Sequence, residues 1–548
     1  MMSRHDTIII NAEVFGHSTA TSVAVTGDRI TAISSTSVVP ASSRDVEVID
    51  ARGATLMPGF IDAHVHPMAA GVQLLTCDLS RLPHSLETYQ RAIREYANTH
   101  SEEPWIVGNG WYGDTFPGGL PTAEILDSLV PDRPAVLVSH DGHGVWVNSA
   151  ALRLAGIDDR TPDPAGGRIN RDESGKATGI LVERAQDLVT DLRPPVTDEF
   201  VERAILEAQA HLHRNGITAW QDALVGELWG LPSPLDFYRR LAADGRLTAR
   251  VVGALYWVPG DGMAQLENLV ELRSSSFVGR FQATSVKVMQ DGVCENCTGA
   301  MLQPYSGRPD HVTPTGLSFI EPEELKRVVE SLDTNGFQVH MHAVGDRAVR
   351  ECLDAVEFSR ERDPSGQRHQ IAHVDVVDAS DIPRFKHLDV IANLQALWAR
   401  RDKEIVERKL PLLGPEREPQ HFPFGDLYRA GARLAMGSDW PVTDPNPLWA
   451  IYTAVTRTAP PEDPHAVGDD ALSVPLEPHQ ALPLQAALEA YTMGSAYANG
   501  MEAEVGSIEL GKLADLVVLD RPILNGEGLS GAEPQLTMVG GKSVHRLI

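Results

Sequence analysis

Along this chain, short apolar runs rich in β-branched residues alternate with stretches whose apolar residues recur every three or four positions, the periods of strand and helix. The runs "ATLMPGFIDAHVH", "ITAWQDA", "LTARVVGALYWV", "ATSVKVMQDG", "FQVHMHAVG", "HQIAHVDVV", "DVIANLQALW" and "ARLAMGSDW" read as eight strands. Between them "TDEFVERAILEAQAHLHRNG", "LDFYRRLAADG", "MAQLENLVELRS", "PEELKRVVESLDTNG", "DRAVRECLDAVEFSR", "ASDIPRFKHL" and "FGDLYRAG" read as helices, several of them stopping at Gly. Eight strands with helical crossovers predict an α/β chain whose centre closes as a parallel (β/α)8 TIM-like barrel.

Both ends have another texture. "TIIINAEVF", "SVAVTGDRITAIS" and "DVEVIDARG" near the start, and "GSIELGKLADLVVLD" and "QLTMVGGKSVHRLI" near the end, are short strands with turn residues between them. Residues 1–55 and 500–548 are expected to join in one small β-sandwich domain, with the barrel spanning 56–499. A Trp-, Pro- and Gly-rich segment at about 67–195 interrupts the barrel after its first strand. An insertion at that end of a strand lies over the mouth as a lid.

The polar residues that break the apolar runs fall at the C-terminal ends of the expected strands. His64 and His66 end the first, Lys287 the fourth, His342 the fifth, His373 the sixth and Asp439 the eighth. Parallel strands all finish at one rim, so residues far apart in sequence converge there. Residues two apart in a strand share a face, so His64 and His66 aim the same way. Imidazoles with a carboxylate at one rim point to a metal centre. His340, two before His342, is read as a supporting or packing residue.

Lys287 stands among valines, where an unpaired ammonium is costly to bury. Two arrangements relieve that cost: reaction of the neutral amine with CO₂ to give a carbamate, or a salt bridge to Asp291 or Asp439. Asp439 is the expected base, placed to touch a metal and to accept a proton from water.

Composition narrows the partners. With 47 Lys and Arg against 75 Asp and Glu, the net charge of −28 is spread along 548 residues, which disfavours nucleic acid and anionic lipid. The first residues lack a basic stretch followed by an apolar one, and no long apolar run follows, so a soluble cytoplasmic protein without a membrane partner is expected. The four cysteines are too few to staple such a chain, and the single Cys294-x-x-Cys297 pair has no second half to make a zinc ribbon.

The motifs "PGFIDAHVHP", "VKVMQDG", "VHMHAVGDRAV", "HQIAHVD", "GSDWPV…NPLWAIYTAVTR", "DGHGVWVNSAAL" and "GILVERA" resemble the amidohydrolase superfamily, and within it the family-3 branch that includes N-substituted formamide deformylases. The resemblance covers nearly the whole chain. It implies a distorted barrel with a β-sandwich and one or two metal ions. Carried over by position, His64, His66 and Asp439 hold the more buried ion and His342 and His373 the more exposed one, with Lys287 bridging them if carboxylated. Zinc is the expected ion, although Mn²⁺, Fe²⁺ or Ni²⁺ suits the same donors. One departure is visible: Ala396, Leu397 and Trp398 stand where related chains often carry a His.

The expected reaction is hydrolysis of the C–N bond of a small carboxamide, most specifically an N-substituted formamide. In the lid Trp105, Trp111, Tyr112, His143 and Trp146 are available to enclose substrate, with His143, Trp111 and Trp146 as the candidate binding residues. A cyclic amide or imide hydrolase and a metal-dependent decarboxylase fit the same barrel, and a degenerate barrel serving as a binding or scaffold subunit is the non-enzymatic alternative. A homodimer is compatible with the sequence but is not required by it.

Overall fold

The structure, a computed structural model, describes residues 6–36, 46–227, 230–307, 313–364 and 366–548. Its centre is an eight-stranded parallel sheet of β1 (Phe60–Val65), β2 (Ile217–Val225), β3 (Arg250–Tyr256), β4 (Phe281–Met289), β5 (Gln338–Ala343), β6 (Gln370–His373), β7 (Ile391–Leu394) and β8 (Arg433–Met436), each paired with its neighbour in sequence. All eight expected strands are present in the expected order. The sheet closes where β8 meets β1: Asp439 N donates to His64 O at 2.7 Å, and His66 N donates to Trp440 O at 2.9 Å.

A carboxylate rivets this seam. Asp62 accepts from Ser438 Oγ at 2.6 Å, from Ser438 N at 3.1 Å and from His64 N at 3.0 Å. Gly437 makes the approach feasible, because a Cβ there would lie 2.4 Å from His64 N.

The helices form by amphipathic burial. In the helix Asp198–Arg214, Val201, Ala204, Ile205, Ala208 and Leu212 line the buried stripe, Thr197 caps the start by accepting from Phe200 N, and Gly216 at φ +78° turns the chain into β2.

The first expected strand divides in two. Thr55–Pro58 pairs antiparallel with Leu516–Leu519 in a terminal sheet, and only Phe60–Val65 enters the barrel. The break falls at Gly59, where a Cβ would lie 2.2 Å from Thr218 Oγ1, so only glycine lets the chain pass between the two sheets. The terminal sheets are a four-stranded one from residues 7–50 and a five-stranded one combining Glu13–Val14 and Thr55–Pro58 with Leu516–Leu519, Pro534–Val539 and Lys542–Arg546. Ile9, Val23, Leu56, Leu516, Val518 and Leu536 pack together there. The stretch "GSIELGK" is irregular and precedes the strand instead of forming one.

The insertion carries its own six-stranded sheet, ordered Gly167–Arg171, Ala177–Glu183, Gly144–Val147, Ala135–Ser139, Ile106–Trp111 and Cys77–Asp78. Its cores are separate from that of the barrel. No helix among the described residues is long and apolar enough to cross a membrane.

Candidate metal centre

The strand ends deliver a compact cluster. His64, His66 and Asp439 each place one ligand atom within 4.8 Å of the other two. Asp439 Oδ1 is 3.3 Å from His64 Nε2 and 3.0 Å from His66 Nε2, and Asp439 Oδ2 is 3.9 Å from His373 Nδ1. His342 stands next in the ring, its imidazole centroid 4.4 Å from that of His373. Its Nε2 faces the loop after β4, 3.2 Å from Gly292 O and 3.5 Å from Asp291 Oδ1. Lys287 lines the same cavity. His373 and Asp439 both sit in the left-handed region, at φ +78° and +56°, the backbone strain that clusters at functional sites.

Hydrogen bonding inside the barrel fixes which His64 nitrogen is available. Backbone carbonyls only accept, so Asn393 Nδ2 donates to Ala63 O at 2.8 Å and also to Gln370 Oε1 at 2.8 Å. Gln370 Nε2 therefore donates to Gln221 Oε1 at 2.7 Å and Gln338 Oε1 at 2.9 Å, while Gln338 Nε2 donates to Ala498 O at 2.7 Å. Gln221 Oε1 is thus an acceptor, and His340 Nδ1, 3.0 Å away, carries a proton. Burial holds the His340 pKa well below the usual range, so the ring is neutral and its Nε2 accepts. His64 Nδ1, 2.8 Å from that Nε2, must donate. The lone pair of His64 then sits on Nε2, turned to the centre.

His64 Nε2 and His373 Nδ1 are buried without a hydrogen-bond partner among the described residues, and Asp439 Oδ1 forms no well-aligned hydrogen bond. A lone pair facing a carboxylate oxygen at 3.3 Å repels unless a cation lies between them. Burial likewise holds the His64, His342 and His373 pKa values well below the usual range, which keeps these rings neutral as metal ligation requires. Burial also opposes ionisation of Asp439, but the contact with His66 and the electrostatic influence of the neighbouring His66, His373 and Lys287 side chains outweigh it and lower its pKa. The donor set fits a divalent cation.

Of the two arrangements open to Lys287, the salt bridge to Asp291 does not form. Asp291 caps the loop after β5, accepting from Val344 N at 3.0 Å, Gly345 N at 2.9 Å and Ala300 N at 2.8 Å. Burial pushes the Lys287 amine down to about 8, with Asp439 as the opposing charge.

The mouth opens into a cavity of about 1440 Å³ between the barrel rim and the insertion. His143 lines it as expected, its Nδ1 3.0 Å from Glu183 Oε2 and its ring centroid 5.9 Å from that of His342. Burial works against a charge on His143, but Glu183 outweighs it and raises the pKa to about 9. Thr298 Oγ1 donates to Glu183 Oε1 at 2.8 Å, which ties this pair to the loop after β4.

Trp111 and Trp146 are corrected from substrate binders to packing residues. Each turns into the core of the insertion, where Trp111 Nε1 donates to Leu137 O at 2.9 Å and Trp146 Nε1 to Thr122 O at 2.8 Å, both indoles edge-on to Phe116. Leu137 lies in the insertion's own sheet and Thr122 stands at the N-cap of its helix Ala123–Asp127, so both carbonyls belong to the insertion's separate fold. Tyr112, stacked on His140 at 3.9 Å, faces the cavity instead. Trp398 joins it, its ring parallel to His373 at a centroid distance of 5.2 Å. Glu183, Glu404 and Lys409 also line the cavity. Only the "GILVERA" motif pointed to any of these three.

The amidohydrolase family's sequence profile matches residues 47–545. The chain belongs to that family. It is 31% identical over 509 residues to a putative amidohydrolase, YtcJ, of Bacillus subtilis strain 168, covering 92% of this chain and 91% of the relative. It is also 28% identical to an N-substituted formamide deformylase of Arthrobacter pascens, covering 95% and 94%. Among solved structures, an uncharacterised metal-dependent hydrolase of Pyrococcus horikoshii OT3 superposes with a TM-score of 0.70 at 26% identity, over 94% of this chain and 97% of that one. This amidohydrolase is accordingly a metal-dependent hydrolase with a TIM-like barrel.

Proposed function

We propose that this amidohydrolase cleaves the C–N bond of a small carboxamide, with an N-substituted formamide as the specific substrate, consuming water and releasing formate and an amine. The observation that carries the reading is the convergence of unpartnered donor atoms at the floor of a large cavity: His64 Nε2 and His373 Nδ1 around Asp439. The Arthrobacter pascens relative, matched over nearly its whole length, supports the choice of amide.

His64, His66, Asp439, His342 and His373 are assigned as ligands, with zinc as the ion. A bound divalent cation supplies acidification of water and polarisation of the scissile carbonyl. Asp439 takes the proton of the attacking water at Oδ2 and returns it to the departing nitrogen, so that no free anion leaves. His143, charged through Glu183, stands over the same cavity as a donor to the oxygen on which negative charge grows. Lys287 is assigned as a carbamate: its neutral amine would add CO₂ and lose one proton, giving an anionic oxygen donor that could hold a metal in place of the buried amine.

The test is formate release from a panel of N-substituted formamides, with metal content measured on the same protein. Activity is expected to disappear with the metal in the His64→Ala/His66→Ala double variant. Asp439→Asn is expected to lose roughly 10²-fold or more in turnover. Full metal occupancy in the double variant would overturn the ligand assignment, and release of no formate from any member would overturn the substrate.

A further inference from the structure

One wall of the cavity, made by the loop after β6 and the segment 396–409, is carboxylate-rich beyond what its own cations require. Lys409 Nζ lies 2.6 Å from Asp375 Oδ2 and 2.9 Å from Glu295 Oε1, so one ammonium already meets two carboxylates. Arg400 likewise meets two, Asp402 at 2.9 Å and Asp463. Arg408 pairs with Glu404 through Oε1. Across the whole cavity lining, twelve residues are Asp or Glu and five are Lys or Arg.

Two acceptor atoms on this wall are left over. Glu404 Oε2 and Asp375 Oδ1 have no hydrogen-bond partner among the described residues, although Glu404 is only 8% exposed and Asp375 1%. Carboxylate oxygens so placed lose hydration without recovering it from the protein, and a donor is what they lack. Burial pushes the Glu404 pKa up to about 8 despite Arg408, so ionising this acid is costly, and a cation seated beside it would offset that cost. The wall is one indole away from the metal ligands: Trp398 stacks on His373 at 5.2 Å, and Lys409 Nζ lies 6.0 Å from the same indole. The segment takes a π-helical turn at Ile405–Lys409, a geometry frequent at functional sites.

We infer that this wall recognises a cationic group of the substrate, a protonated amine carried by the nitrogen substituent of the amide, with Glu404 as its first acceptor and Asp375 as its second. Its place relative to the scissile bond rests on the amide reading above; its preference for a cation does not. Ammonium-to-carboxylate hydrogen bonds are charge-assisted, and the acidic lining of the cavity favours the same sign of ligand on approach.

The experiment uses the metal-loaded full chain and two series of formamides of matched length, N-(ω-aminoalkyl)formamides and N-alkylformamides. The amino series is expected to lead in kcat/KM by about tenfold or more, chiefly through KM, with the lead shrinking as salt is added. In Glu404→Gln the ratio between the two series is expected to fall severalfold. Calorimetry with alkylammonium ions and the matching alkanols measures the wall without any reaction. Ammonium is expected to bind more tightly than alkanol to the wild-type protein, and Glu404→Gln to narrow the gap. If no formamide is cleaved but the ammonium preference holds, the substrate reading fails and the cationic wall stands. Equal binding of ammonium and alkanol to the wild-type protein, or equal kcat/KM for the two series, overturns the inference and leaves these carboxylates serving only Lys409, Arg400 and Arg408. The wild-type ratios decide even if Glu404→Gln does not fold.

Discussion

His340 Nε2 lies 2.8 Å from His64 Nδ1, and the proton between them belongs to His64. A residue that touches no substrate thereby sets the tautomer of a ligand. His340→Leu removes the acceptor, frees the His64 ring to rotate or to protonate at Nε2, and is expected to weaken metal affinity roughly 10–100-fold. Competition of the purified variant against a chelator of known affinity measures this. Unchanged affinity would mean that packing alone orients His64.

Lys287 is distinguished by its product. A carbamate makes the native protein one CO₂ heavier, and Lys287→Ala should lose at least one metal with most of the activity, both partly restored by acetate or propionate. Native mass spectrometry and metal analysis check this. A bare amine in a fully metallated, active protein rules the carbamate out. Burial brings the amine down to about 8, so a far larger fraction is neutral near physiological pH than for an ordinary lysine, and the neutral amine is the form that reacts with CO₂.

Gly437 guards the seam. Its missing Cβ would stand 2.4 Å from His64 N and 2.7 Å from His64 Cβ. Gly437→Ala must push β8 from β1, at a cost of about 1–3 kcal/mol for overpacking alone, and it displaces His64 relative to Asp439. A lowered denaturation midpoint together with reduced metal occupancy is expected. An Ala variant with wild-type metal content would show that the seam is more pliable than the spacing implies.

The His143–Glu183 pair predicts a pH window. The folded pKa of about 9 lies above the ordinary His value. The pair's stabilisation is therefore complete below about pH 6.5, declines above it, and is lost as pH rises through about 9. The alkaline limb of kcat/KM is expected near the same value. Glu183→Gln removes the main charge opposing burial, leaving only Asp141 and Asp439 against it, so this limb should move to lower pH, and a titration of the His143 ring by NMR should follow it. An unmoved limb would assign it to another group.

The eight barrel strands and the positions of the six rim residues were legible in the sequence because both depend on local signals. Apolar runs mark strands, and two-residue spacing as in His64 and His66 fixes a shared face. The orientation of Trp111 and Trp146 was not legible, since it depends on which carbonyls the fold of the insertion brings beside each indole. Glu404 and Lys409 were invisible for a similar reason: nothing in "RRDKEIVERKL" shows that a π-helical turn buries both against the cavity. The role of His340 was partly open, because its tautomer depends on amides drawn from four different strands.

The rivet at the barrel seam also dictates when the enzyme can become active during its own synthesis. Asp62 and Ser438 are 376 residues apart, an interval of roughly tens of seconds at ribosomal rates. Throughout that time His64 and His66 have emerged without Asp439, and β1 presents an open edge to whatever the cell offers. Strand Thr55–Pro58 waits longer still for Leu516–Leu519. The nascent chain is thus a half-built chelator with an unpaired strand beside it, and a chaperone or a loosely held metal ion would find its first foothold there.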